Sequence, residues 1–266
     1  MKRFFLLGFV ILQVALYSCS TVPITGRRQL DIIPDNQMMS MSYQQYDQFM
    51  EEHKLSDDRQ KAEMVKRVGR RIQNAVEDYF SERGMEDRLK DYRWEFNLIE
   101  SDEVNAWAMP GGKVVIYTGL LPVARDETGL AVVMGHEIAH AVAKHGDERL
   151  SQVLITQMGG MALSEALEKA PEDTRNLWLA VYGVGAQVGV LLPYSRTHES
   201  EADHMGLILM AMAGYDPRVS VDFWKRMLDN NKGAAPPEFL STHPAGETRI
   251  KNMKKLIPEA MKYYKQ

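Results

Sequence analysis

The chain contains at residues 130–143 the run Leu130-Ala131-Val132-Val133-Met134-Gly135-His136-Glu137-Ile138-Ala139-His140-Ala141-Val142-Ala143, and this run decides the fold. In a helix, His136 and His140 stand at positions i and i+4 and share one face, where both can bind one metal ion. Glu137 follows the first histidine and can reach a water molecule beside that metal. The pattern is typical of zinc hydrolases, although three fixed positions in five also occur by chance.

The surroundings of the motif indicate a buried helix. Asp126 can cap its start, and Glu127 is favourable in the first turn, where the helix dipole attracts negative charge. Apolar residues then surround the helix on nearly every side, which is typical of a core helix. Two histidines and a glutamate inside a core are costly without partners or a metal. Burial therefore favours a metal site over a chance match.

A second stretch offers the remaining ligand, because a catalytic zinc site uses three protein ligands and leaves a fourth position for water or substrate. Glu199 and Asp203 stand at i and i+4 of a predicted helix. Glu199 can bind the metal while Asp203 hydrogen-bonds the far nitrogen of a ligand histidine. Glu201 is the second choice as ligand. The neighbouring histidines are interpreted as flanking residues: His198 and His204. A solvated acidic helix start is the alternative interpretation of this cluster.

The N-terminus resembles a bacterial lipoprotein signal. Lys2 and Arg3 precede an apolar run to Leu16 that is short for a membrane span but suits a signal peptide. The lipobox-like end Leu16-Tyr17-Ser18-Cys19 predicts a signal peptide over residues 1–18 and a lipid on Cys19. An ordinary cleaved signal and an uncleaved anchor are the alternatives. Cys19 is the single cysteine, so no intrachain disulfide is possible.

Length and composition predict one main domain. The chain has 266 residues, of which 45% are hydrophobic, and this is enough for one sizeable core, with two small cores as the alternative. A net charge of -4 without a large basic patch argues against nucleic acid as a partner. We expect residues 19–36, which are rich in turn formers, to form a lipid-anchored tether. Residues 37–266 are expected to form the domain that carries the motif.

Three short strands are expected ahead of the motif. Arg93–Ile99 alternates apolar and polar side chains, and Val104–Met109 and Lys113–Thr118 are two further extended segments. The turn at Pro110-Gly111-Gly112 predicts that the last two form a hairpin. Its edge strand can pair with an extended peptide through backbone hydrogen bonds, although a purely structural sheet fits the pattern equally well.

The remaining periodic segments are predicted to be helical, over residues 38–52 and 57–80 among others. Leu177–Leu192 is the most apolar stretch after the signal. We interpret it as a helix packed in the core, with membrane contact or self-association through Gly185 and Gly189 as the alternative. The expected fold class is α+β, mainly α, with a small three-stranded sheet packed on a buried active-site helix.

Four motifs together resemble one family of enzymes. They are Asn105-Ala106-Trp107-Ala108-Met109-Pro110-Gly111-Gly112, the His136 to His140 run, Ser195-Arg196-Thr197-His198-Glu199-Ser200-Glu201-Ala202-Asp203, and Thr242-His243-Pro244. In this order they are similar to the HtpX/Ste24-type gluzincin metallopeptidases, also called peptidase family forty-eight. The likeness is greatest to the periplasmic BepA/LoiP/Oma-like lipoprotein branch.

The resemblance implies roles for individual residues. One zinc ion per chain would be held by His136, His140 and the glutamate of a Glu-x-x-x-Asp pattern, which is Glu199. His243 would reach the site, where it would be catalytic by steadying the oxyanion of the transition state or, as the alternative, would occupy the open metal position in a resting form. Asn105 would lie on the edge strand beside the substrate.

The sequence therefore predicts a zinc-dependent endopeptidase of the bacterial cell envelope, with Glu137 as general base. Its expected place is the periplasmic side of the outer membrane, held there by the lipid on Cys19. Its expected substrates are misfolded or unassembled envelope proteins, and its oligomeric state stays open. The main alternative is a chaperone-like or scaffold lipoprotein of outer-membrane assembly with a largely structural zinc. A zinc hydrolase of a non-protein substrate and a chance motif in a structural protein are further alternatives.

Overall fold

The computed structural model describes residues 19–168, 170–187, 191–229, 238–243 and 246–264. The predicted signal peptide lies outside the described residues, as does the side chain of Cys19. The signal peptide and the lipid on Cys19 therefore stay predictions.

Five strands and ten α-helices form within the described ranges. In chain order they are β1 (Cys19–Thr21), β2 (Arg28–Leu30), α1 (Asp35–Glu52), α2 (Arg59–Ser81), β3 (Glu95–Ile99), β4 (Ala106–Met109), β5 (Lys113–Tyr117), α3 (Leu121–Ala124), α4 (Glu127–Val142), α5 (His145–Ala166), α6 (Glu172–Ala186), α7 (Leu192–Met212), α8 (Ser220–Asp229), α9 (Glu238–Thr242) and α10 (Glu247–Ala260). The predicted fold class, α+β and mainly α, is confirmed.

The chain divides into two compact units. One combines the residues up to Asp35 with Lys144–His198, and the other combines Asn36–Ala143 with Glu199–Gln266. In the first unit, β1 and β2 pair antiparallel, and Val22 beside them is fully buried. Part of the segment predicted as a tether is thus a short β-ribbon.

Helices α5 and α6 of the first unit pack against each other and carry most of the exposed large apolar side chains. These side chains recur at matching spacings on the two helices: Leu154, Ile155, Met158, Met161, Leu177, Trp178, Val181 and Val184. The prediction that the apolar stretch from Leu177 packs in the core is therefore wrong for its described part. Within the described residues, no helix combines the length and the apolar character that a membrane span requires.

A mixed sheet organises the second unit. The strand order is β3-β5-β4, with β3 parallel and β4 antiparallel to the central β5. The predicted hairpin turn uses Gly111 and Gly112 at φ of 85° and 83°, a backbone region that favours glycine. Strand β5 is buried along its whole length and β4 forms one edge. The sheet packs on α4 through β4 and β5, as the sequence predicts.

Helix α4 is the centre of the second unit. Asp126 caps it, with its Oδ1 accepting a hydrogen bond of 2.8 Å from the backbone N–H of Gly129. Nearly every residue of the helix is buried. Helix α7 crosses it at a pair of glycines, Gly135 and Gly206, where an added Cβ on either residue would lie 2.9 Å from the backbone of the other helix. This close approach brings the middle of α7 next to the histidines of α4.

Candidate active site

Four side chains from three segments of the second unit converge on one point. On α4, Nε2 of His136 and Nε2 of His140 lie 3.1 Å apart. From α7, the two carboxylate oxygens of Glu199 lie 3.4 Å from these same nitrogens. His243, which directly follows α9, places its Nδ1 at 3.2 Å from His136 Nε2 and 3.0 Å from Glu199 Oε1. One ligand atom of each residue lies within 4.8 Å of the other three.

The chemistry of this donor set fits a zinc ion. Imidazole nitrogens and a carboxylate oxygen are ligands that zinc prefers, and the group is enclosed rather than spread over the surface. Oε2 of Glu199 is buried without a hydrogen-bond partner, although Arg249 Nη1 lies 3.1 Å away. Burial alone would raise the pKa of Glu199, but hydrogen bonds with the three histidines outweigh it and hold the pKa far below its ordinary range. Glu199 is therefore an anion in a pocket lined with nitrogen donors.

Glu137 lies beside this cluster and faces it with one unpaired oxygen. The residue is 2% exposed, and its Oε1 has no hydrogen-bond partner. His243 Nε2 lies 3.5 Å from that oxygen. Burial raises the pKa of Glu137 above its ordinary value, although the neighbouring His243 and His136 act in the opposite direction. A carboxylate with a raised pKa and a free oxygen is suited to accept a proton.

Asp203 supports His136 from behind. Its Oδ1 lies 3.1 Å from Nδ1 of His136, so the ring nitrogen that faces away from the cluster contacts a carboxylate. Such a contact fixes the orientation and the tautomer of the imidazole. Burial and the Arg249 cation lower the pKa of His136, but its contacts with Asp203 and Glu199 outweigh them and raise the pKa to about 9.

Arg249 is a member of the site that the sequence analysis missed. From α10, its Nε and Nη2 donate two hydrogen bonds of 2.7 Å to the two oxygens of Asp203. Burial would raise the pKa of Asp203, but Arg249 and His136 outweigh it and lower the pKa. Its guanidinium also lies 3.6 Å from the ring centre of Trp224 on α8. Nothing in an amphipathic C-terminal helix marks one of its basic residues as part of a site.

Aromatic rings enclose the cluster on the side of α8 and α9. Phe239 stacks on His243 with ring centres 4.8 Å apart and on Trp224 at 5.8 Å. Both aromatic residues are fully buried. The backbone N–H of Phe239 donates to the carbonyl of Val104, just ahead of β4. The turn that carries His243 is thus attached to the edge of the sheet.

The other residues singled out in the sequence lie outside the cluster. Asn105 is half-buried directly before β4, and its Oδ1 accepts a hydrogen bond of 2.9 Å from the backbone of Ala106. Its role beside the substrate stays a prediction. Glu201 is 7% exposed but is not among the four clustered residues. His204 contacts Glu259 on the surface at 3.0 Å.

His198 belongs to a different contact network in the first unit. Its Nε2 lies 2.8 Å from Glu148 Oε2, and its ring stacks on His145 with centres 4.4 Å apart. His145 is 2% exposed. His145 follows His140 by five residues near the predicted end of that helix, a position that predicts a surface or helix-capping place. Its burial shows that this prediction is wrong.

A buried His-Glu-x-x-His helix, joined by a glutamate from a second helix, is the arrangement of a metallopeptidase site. The chain belongs to peptidase family M48, whose family model matches residues 66–257. The family resemblance stated from the motifs is thereby confirmed.

The relatives of this chain include mitochondrial proteins and a protein of Escherichia coli. The chain is 35% identical to the mitochondrial metalloendopeptidase OMA1 of Saccharomyces cerevisiae over 205 residues, which is 72% of this chain and 55% of the relative. It is 32% identical to the mitochondrial metalloendopeptidase OMA1 of Homo sapiens, over 96% of this chain and 49% of the relative. It is 33% identical to the beta-barrel assembly-enhancing protease of Escherichia coli, over 58% of this chain and 32% of the relative. The chain spans about half the length of the OMA1 relatives or less.

Proposed function

We propose that this chain is a zinc-dependent endopeptidase. One observation carries the proposal: His136, His140 and Glu199 converge with their ligand atoms within 4.8 Å, and the unpaired oxygen of buried Glu137 lies beside them. These three residues would hold the zinc. When bound, Zn²⁺ supplies a Lewis acid that polarises a carbonyl and lowers the pKa of a water molecule.

The side chains around the zinc position transfer the proton and orient a ligand histidine. Glu137 takes a proton from the attacking water and returns it to the leaving nitrogen of the cleaved peptide bond. Its burial raises its pKa and so makes it a better proton acceptor than an exposed glutamate. Asp203, held by two hydrogen bonds from Arg249, keeps His136 turned toward the ligand cluster.

We further propose that His243 occupies the open metal position in this resting arrangement. Its Nδ1 lies as close to Glu199 and His136 as these lie to each other, which supports a place within the ligand set. It directly follows the five-residue helix α9. Withdrawal of His243 would open the fourth position to water and substrate.

The proposed substrates are misfolded or unassembled proteins of a bacterial cell envelope, reached from the periplasmic side of the outer membrane. The name of the Escherichia coli relative, beta-barrel assembly-enhancing protease, supports this setting. The lipobox-like sequence ending at Cys19 supports a lipid anchor. The strand β4, which packs on α4, forms one edge of the sheet among the described residues, where an extended peptide could pair through backbone hydrogen bonds. The OMA1 relatives are named as mitochondrial, so the compartment rests on the N-terminal sequence.

The deciding experiment replaces Glu137 with glutamine. The purified variant should retain one zinc per chain and its fold, and it should cleave denatured casein about 10²–10⁴-fold more slowly than the wild type. Glu127→Gln is the matched control, since Glu127 lies on the same helix but pairs with Arg67 at the surface. It should leave cleavage unchanged.

Two results would count against the proposal. Undiminished cleavage by Glu137→Gln with normal zinc content would remove Glu137 from the chemistry. Full rescue of a deletion strain by the same variant would instead favour a chaperone-like or scaffold role in which zinc is structural.

A further inference from the structure

A second group of metal-ligating side chains lies in the first unit, separate from the candidate active site. Asp31, Asp35 and Asp147 each place a carboxylate oxygen within 4.8 Å of the other two. Asp31 follows β2, Asp35 begins α1, and Asp147 lies in the first turn of α5. The cluster therefore joins two segments that are more than a hundred residues apart in sequence.

One basic side chain reaches this cluster but does not satisfy it. Lys144 Nζ lies 3.4 Å from Asp31 Oδ2 and is hydrogen-bonded to Asp35 Oδ1. The backbone of Lys144 is left-handed, with φ of 59°, a conformation that costs free energy for a residue with a side chain. A single ammonium group balances one of the three carboxylates, so two negative charges remain when all three are ionised, the state that a bound cation favours.

Two carboxylate oxygens in the cluster are buried without a partner. Asp147 is 1% exposed, and its Oδ1 makes no hydrogen bond. Asp31 Oδ1 is likewise buried and unpaired, while its other oxygen faces Lys144. Each buried oxygen without a hydrogen bond destabilises the fold, because the loss of its contact with water is not compensated. Burial, opposed by Lys144 but reinforced by Asp31 and Asp35, raises the pKa of Asp147 to about 7.

We propose that Asp31, Asp35 and Asp147 bind a hard divalent cation, calcium, which fastens the segment after β2 to the first turn of α5. Carboxylate oxygens are the ligands that calcium prefers, and two positive charges match the excess that Lys144 leaves. The unpaired oxygens of Asp147 and Asp31 supply ligand atoms that have no hydrogen bond to a described protein group to lose. The site does not depend on the proposed peptidase activity.

The test uses the zinc-loaded protein in buffer without chelators, since chelators would also remove zinc. Its Tm is followed while CaCl2 is raised over about 10⁻⁶ to 10⁻² M, a range that brackets most protein calcium sites. A rise in Tm of about 5 °C is expected at a calcium concentration of 100 times Kd. Isothermal titration calorimetry should give one calcium per chain.

Three variants distinguish specific calcium binding at this cluster from nonspecific screening of charge by salt. Asp147→Asn should lose the response to calcium, and its Tm without calcium should equal or exceed that of the wild type, because an unpaired buried charge is gone. Asp35→Asn should weaken calcium binding by about tenfold or more. Asp173→Asn removes an exposed carboxylate at the start of α6 in the same unit and should leave the response intact.

The proposal is overturned if wild-type Tm responds to CaCl2 no more than to NaCl at the same ionic strength. It is also overturned if Asp147→Asn keeps the full calcium response. Should Asp147→Asn fail to fold, Asp35→Asn decides the question. The Asp35 side chain is 56% exposed and its replacement leaves the core intact.

Discussion

The pair formed by Arg249 and Asp203 provides a quantitative test of how the site is held together. Its two hydrogen bonds measure 2.7 Å each, and the two side chains are only 9% and 6% exposed. Replacing Arg249 with methionine keeps most of the side-chain volume but leaves the Asp203 carboxylate buried without its counter-charge. The loss of a partner from a buried ion pair costs about 3–5 kcal/mol of unfolding free energy.

Urea unfolding of four proteins measures this cost: the wild type, Arg249→Met, Asp203→Asn and the double variant. Because the damage in Arg249→Met comes mainly from the stranded carboxylate, the double variant should lose less than the sum of the single losses by about 1–3 kcal/mol. Arg218→Met is the matched control. Arg218 makes the same two-bond contact with Asp216, but at the surface, where its side chain is 60% exposed. This control should show no measurable change.

The Arg249→Met variant should also bind zinc less tightly than the wild type. Asp203 without Arg249 no longer holds a fixed place against His136 Nδ1, and loss of such support typically lowers metal affinity 10–100-fold. Competition with a chromogenic zinc chelator measures the change. Two outcomes would contradict this account. Either Arg249→Met is as stable as Arg218→Met, or the losses of unfolding free energy in Arg249→Met and Asp203→Asn add up in the double variant. In both cases the buried ion pair does not stabilise this part of the site.

Two further predictions follow from the contacts of single residues. His243→Ala should raise the kcat/KM for a peptide substrate several-fold, because it frees the position that His243 fills; a loss of activity would show instead that His243 steadies the transition state. Burial raises the pKa of Glu148, but hydrogen bonds from His198 and Arg27 outweigh it and bring the pKa from 4.5 to about 2. This depressed pKa contributes about 3 kcal/mol of stability above pH 4.5 that is lost as the pH falls from 4.5 to 2. The free energy of unfolding should therefore fall less steeply between pH 4.5 and 2 in Glu148→Gln than in the wild type. An unchanged slope would contradict a depressed pKa for Glu148.

The elements around α4 could be predicted because their signals are local. The cap at Asp126 and the apolar residues that follow act within a few turns of one helix. Strands β4 and β5 flank the two glycines at 111 and 112, so their pairing as a hairpin follows from short-range geometry. Glu199 and Asp203 lie on the side of α7 that faces α4, which the i, i+4 spacing alone predicts once a helix is assumed.

The burial of a side chain by residues distant in sequence could not be predicted in the same way. The apolar stretch from Leu177 is as hydrophobic as a core helix, yet its large apolar side chains are exposed at Leu177, Trp178, Val181 and Val184. Within the described residues, α5 is the main element that α6 contacts. His145 lies among charged residues in sequence but is buried under the ring of His198, more than fifty residues later. Periodicity indicates which residues share a face, and only the tertiary structure decides what covers that face.

Arg249 shows why a functional side chain can escape a reading of motifs. Buried Glu137 and Asp203 and partly buried Glu199 bring three carboxylates within reach of two ligand histidines. Arg249 supplies one positive charge. With zinc bound the ligand histidines would be neutral and the metal would supply the other two positive charges, so the three carboxylates are balanced when both cations are counted. A sequence motif specifies the metal ligands and the general base. It does not specify the positive charge that offsets the repulsion between carboxylates in one pocket. The need for such a charge could be inferred from the three acids, but its source in α10 could be found only in the fold.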